Sequence, residues 1–73
     1  MRENKDLIVE LLRKVLVETQ AGADIKDISY ERTESGLEEV TVRRMNGREH
    51  VINVTGDSGL ALIHDVTGAL MWE

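Results

Sequence analysis

The 73-residue chain has no cysteine, no proline and no phenylalanine, and Tyr30 and Trp72 are its only aromatic side chains. Lacking cysteine, it has neither a disulfide framework nor a thiolate metal site, and a reducing cytoplasm is the expected compartment. So few aromatics leave the core to leucine, isoleucine and valine, which can pack well. No run reaches the roughly 18 apolar residues of a membrane span. The opening Met1-Arg2-Glu3-Asn4-Lys5-Asp6 is too acidic for a signal peptide, so no membrane contact is expected. Positive charge is also scarce: nine Lys and Arg against 14 Asp and Glu leave a net charge of -5. This disfavours general binding to nucleic acid or anionic lipid. At this length there is room for one domain, residues 1–73.

What is present reads in order as helix, three strands, helix. Asn4 is a suitable N-cap and Asp6 suits a first turn, so a helix is expected from Lys5 until Gly22 offers a left-handed stop. Glu10 and Lys14 make a favourable i,i+4 pair. Leu7, Ile8, Val9, Leu11, Leu12, Val15 and Leu16 fill about 200° of the helical wheel, whereas a helix resting on one core needs a stripe a little over 100°. Surplus apolar surface is the consequence. Alternation then predicts strands over residues 25–33, 38–45 and 48–55, with Glu34-Ser35-Gly36 as the first turn.

Asn46-Gly47 is the strongest hairpin signal in the chain. A two-residue loop there would pair Val42 with Val51 and put Ile52 and Val54 on the other face from Val40 and Val42. A three-residue loop, Met45-Asn46-Gly47 with Gly47 left-handed, pairs Val40 with Ile52 and Val42 with His50 and restores one apolar face. The bulged loop is therefore expected, with Thr41, Arg43, Glu49, Val51 and Asn53 on the opposite side. After Gly56, Asp57 or Ser58 caps a helix over Leu60–Met71 with Leu62, Ile63, Val66, Ala69 and Leu70 toward the core. Its other side carries Ala61 and Gly68, small residues seven apart, with Trp72 nearby.

The fold class is thus α+β, a single α-β-β-β-α domain: a three-stranded antiparallel meander with both helices on one face. In element order it resembles the double-stranded-RNA-binding domain. That resemblance implies the fold, and implies RNA contact through basic residues at the start of the second helix. Here that place holds Asp57, Ser58, Leu60, Ala61 and Leu62, so the likeness extends to topology and not to the RNA-binding residues.

Gly56-Asp57-Ser58-Gly59 is also the string around the nucleophile of trypsin-like proteases. Such a serine needs a histidine base, an orienting carboxylate and an oxyanion hole. Ser58 instead precedes an apolar helix, where a hydroxyl caps exposed amides. His50 and His64 have no metal-ligand spacing. No catalytic residue, cofactor or metal is expected, and an enzyme is the least favoured class.

Three readings remain. The leading one is a protein-interaction or accessory module that self-associates, most simply as a symmetric homodimer, with any further protein partner unidentified. Leu7, Val9, Leu16, Val17, Met71 and Trp72 are the expected exposed apolar positions, with Ala61 and Gly68 as a place of close approach. The second is nucleic-acid mimicry, in which Asp27, Glu31, Glu34 and Glu38 imitate phosphates toward a basic partner. Some phage anti-CRISPR inhibitors are similar in being short, acidic and built from a three-stranded sheet with helices. The third is weak nucleic-acid binding through Arg43, Arg44 and Arg48 at the hairpin, which the net charge disfavours.

Overall fold

The hairpin parity is met. In the computed structural model, which describes residues 4–71, Val40 lies opposite Ile52 and Val42 opposite His50. The Arg44 N–H donates to the Arg48 carbonyl at 2.8 Å and the Gly47 N–H to the Arg44 carbonyl at 3.0 Å. Gly47 takes φ +89°, a conformation in which a Cβ would be strained. The elements are α1 (Lys5–Leu16), β1 (Ile25–Arg32), β2 (Glu38–Arg44), β3 (Glu49–Asn53) and α2 (Gly59–Met71). The strands form one antiparallel sheet in the order β1-β2-β3, giving a small α+β domain.

Val40, Val42 and Val54 are fully buried with Leu62 and Val66 of α2, and Val9, Leu12, Leu16, Ile25 and Leu70 complete the core. Ile28, Tyr30 and Ile52 share the strand parity of Val40 and Val42 and pack against that core. Both helices therefore cover the same face of the sheet. Ile25 and Ile28 are three residues apart, so strict alternation would send them to opposite faces. A register shift between Ile25 and Asp27, with Lys26 as the extra residue, turns both toward the helices.

Each helix begins at a side-chain cap. Asn4 Oδ1 accepts from the Leu7 N–H at 3.1 Å, and Ser58 Oγ accepts from the Ala61 N–H at 3.2 Å. The expected run of α1 to Gly22 is corrected: the helix ends at Leu16. The Thr19 N–H and hydroxyl both donate to the Leu16 carbonyl, at 2.9 and 2.6 Å, closing the helix end. The chain then folds back so tightly that a Cβ on Gly22 would collide with the Leu16 carbonyl oxygen. Gly22 serves that close approach, not the helix stop.

The two helices run parallel. Lys5, at the start of α1, binds Glu38, the first residue of β2. The segment leading into α2 meets the same residue, because the Val54 N–H donates to the Glu38 carbonyl at 2.9 Å and the Gly56 N–H to Glu38 Oε1 at 3.3 Å. Both helices thus start at the Glu38 end of the sheet and travel in the direction of β2.

Candidate functional site

Glu38 ties three elements together. Its Oε2 accepts from Lys5 Nζ at 2.7 Å and from the Tyr30 hydroxyl at 2.5 Å, while Oε1 takes the Gly56 amide. The hydrogen bond from Lys5, then those from Tyr30 and Gly56, hold the Glu38 carboxyl down at about 2. Burial, then the adjacent Glu38, push the Tyr30 phenol up to about 12. Glu38 is thereby corrected as a member of an outward acidic surface. It has the parity of Val40, so it faces the helices. Nearby, hydrogen bonding toward Asp65, burial and the charge of Asp65 raise the Asp57 carboxyl, whose buried Oδ2 has no hydrogen-bond partner among the described residues.

The other acids separate as well. Asp27 is held by Arg43 at 3.1 Å, Glu34 is exposed in the β1–β2 turn, and Glu31 stands on the open face opposite Glu39. The arginines do not form one patch. Arg43 lies on the open face between Asp27 and Glu49, at 3.1 and 3.2 Å, and both carboxylates favour its charged form. Arg44 points to the other side and is only 8% exposed. Its guanidinium pairs with Asp24 and donates to the Ala21 carbonyl and to His50 Nε2, each at 3.2 Å. Among the described residues, Arg48 alone of the three stays exposed without an ion pair, its N–H donating to Asn46 Oδ1 at 3.0 Å.

His64 is exposed beside Asp65, at 3.6 Å. Among the described residues, no group of three His, Asp or Glu side chains is arranged to hold a metal ion. Ser58 Oγ is engaged as a helix cap. Glu38, Arg43, Arg44 and Ser58 are thus occupied in holding the fold together.

The helix layer differs. Leu7, Leu11 and Val15 are 49%, 51% and 62% exposed, and Leu60 and Met71 are 81% and 75% exposed. Leu7, Leu11 and Val15 recur every four residues and so form one stripe on α1, within about 80° of the wheel. On α2, Leu60, Ile63, Thr67 and Met71 fall in a sector of similar width. Each stripe borders its helix's buried side, but in opposite rotational senses. In two parallel helices this makes the stripes face each other or both face away.

Arg13 decides between these arrangements. It projects from the flank of α1 opposite the stripe and donates to the Lys26 carbonyl on the edge strand β1, at 3.2 Å. The stripe of α1 therefore looks toward α2, and the two stripes form the walls of an apolar groove whose base is set by the half-buried Ile8 and Ile63. Asp65 is the only formally charged side chain in α2, and it lies outside the sector that forms this wall.

Of the expected interface positions, Leu7 and Met71 border the groove. Val9 and Leu16 are corrected: at 2% and 8% exposure they belong to the core, being on the side of α1 that meets the sheet. Val17 is half-buried against that core. Ala61 and Gly68 are half-buried on the outer side of α2, off the groove, and a Cβ on Gly68 would meet nothing within 4 Å. Trp72 lies outside the described residues. Leu11, Val15 and Leu60 were missed; their signal was the wide apolar arc, which needed the direction of the core before its surplus edge could be located.

No protein-family model, no curated protein and no solved structure matches the chain. Among the described residues, no helix is long and apolar enough to cross a membrane.

Proposed function

We propose that the chain is a non-enzymatic protein-interaction module that works as a homodimer, with the groove between α1 and α2 as its contact surface. The observation carrying this reading is the concentration of half- to fully exposed Leu7, Leu11, Val15, Leu60 and Met71 along one side of the helix layer. Contiguous apolar surface of this kind is characteristic of contact sites. A standard interface takes about 800 Å² from each partner. In a domain with extents of 32 × 23 × 19 Å, that corresponds to the whole of one broad face. The engagement of Ser58, Glu38 and Arg44 in structural bonds supports a role without catalysis. A chain without cysteine suits work in the cytoplasm.

Sedimentation equilibrium tests the reading. The wild type should pass from monomer to dimer with rising concentration, and Leu11→Lys should weaken that association about tenfold or more while keeping the folded circular-dichroism spectrum. A wild-type chain still monomeric at high micromolar concentration would end the idea.

A further inference from the structure

We infer that the second copy docks with its α1 antiparallel to the first, crossing near Leu11; this rests on the dimer reading above. The geometry of α1 carries it. Leu7, Leu11 and Val15 are evenly spaced about Leu11, so an antiparallel copy sets Leu7 against Val15 of the partner subunit, Val15 against Leu7 of the partner subunit, and Leu11 against its own twin. This is the self-complementarity that a two-fold interface requires.

The charges beside the stripe select the same direction. Glu10 and Lys14 lie along its outer margin, both are exposed, and among the described residues no ion pair joins them, so the i,i+4 pair expected from the sequence does not form. In the antiparallel arrangement Glu10 meets Lys14 of the partner subunit and Lys14 meets Glu10 of the partner subunit, two opposite-charge contacts from one symmetry operation. A parallel two-fold copy would carry Glu10 and Lys14 to the opposite side of the interface from their twins, where neither meets an opposite charge. That arrangement forgoes both attractive contacts. Antiparallel helix dipoles add in the same sense.

Because the chain lacks cysteine, single thiols can report the direction without interference. Leu7→Cys and Val15→Cys proteins are mixed, oxidised at a concentration where sedimentation shows dimer, and weighed by mass spectrometry. The expected product is the mixed disulfide between Cys at position 7 of one copy and position 15 of the other, in excess over both homodisulfides. In parallel, Glu10→Lys should weaken the dimer about tenfold, and adding Lys14→Glu to it should restore wild-type affinity. Predominant Leu7→Cys homodisulfide, or an intact dimer that neither yields the mixed disulfide nor responds to the charge exchange, overturns the antiparallel arrangement and leaves the homodimer standing. A monomeric wild type removes the homodimer itself, so the two failures are told apart.

Discussion

On the open side of the sheet, Arg43 sits between Asp27 and Glu49, and Thr41 stands between Ser29 and Val51. On the helix side, Leu7, Leu11, Val15, Leu60 and Met71 are between 49% and 81% exposed. The sheet surface satisfies its charges locally, by cross-strand neighbours of the kind that stabilise a strand pair. Among the described residues, the apolar groups of the helix surface are only partly covered. The open face leaves one large apolar side chain exposed, Val51, whereas the helix layer leaves five. The difference arises because strand parity sorts residues onto two faces sharply, whereas an apolar arc of about 200° on a helix necessarily extends beyond the core it rests on.

The sharpest contrast lies within α2, where Leu62 is fully buried and Leu60, two residues earlier, is 81% exposed. Leu62→Ala should cost about 2–5 kcal/mol of stability through lost burial and the cavity left behind. Leu60→Ala should change stability by no more than about 0.5 kcal/mol, measured by urea unfolding at protein concentrations too low for association. Equal losses for both would mean that Leu60 is core, and the distinction between the two surfaces would fail on the helix side.

Much of this layout is legible from sequence because it rests on local periodicities. The pairing of Val40 with Ile52 follows from counting residues across Asn46-Gly47. The side on which Arg44 and Glu38 lie follows from the same parity, since both are an even number of residues from Val40. Their partners do not: Asp24 reaches Arg44 only once the turn after α1 has folded back, and Lys5 meets Glu38 only when the two elements are docked. The bulge at Lys26 is concealed for a different reason. Alternation from Ile28 onward looks complete by itself, and only the odd spacing to Ile25, a core residue, shows that one residue is extra. The groove falls between these cases: the wheel reveals that α1 is too apolar, but the contact of Arg13 with β1 is needed to show which flank is left over.

A next effect should appear in acid and tests how the helix layer is held to the sheet. Glu38 titrates at about 2 in the folded chain, below its ordinary 4.5. Its contribution is therefore present above pH 4.5 and is lost as the pH falls from there toward 2. Asp57 has the opposite sign. Its raised pKa means that the folded state takes up a proton before the unfolded chain does, so stability rises as the pH falls through that raised value toward the ordinary 3.8. Thermal unfolding followed from pH 7 to pH 2 should thus combine a rise from Asp57 with a fall from Glu38 that extends to lower pH. Asp57→Asn should remove the rise and Glu38→Gln the fall; a full acid loss retained in Glu38→Gln would show that the tie to Lys5, Tyr30 and Gly56 does not anchor the layers.

The smallest effect concerns a like-charge pair on the open face. Glu31 and Glu39 are directly opposite in the β1–β2 register, and like charges so placed are destabilising. Glu31→Lys should turn that contact attractive and stabilise the domain by about 0.2–1 kcal/mol, with the gain shrinking as salt is raised. A gain of this size would mean that the chain carries an avoidable repulsion on an otherwise balanced surface, which is the one feature of that face that favours a basic partner over plain solvation. No gain would return Glu31 and Glu39 to ordinary hydrated side chains and leave the helix groove as the only surface of the two that is incomplete by itself.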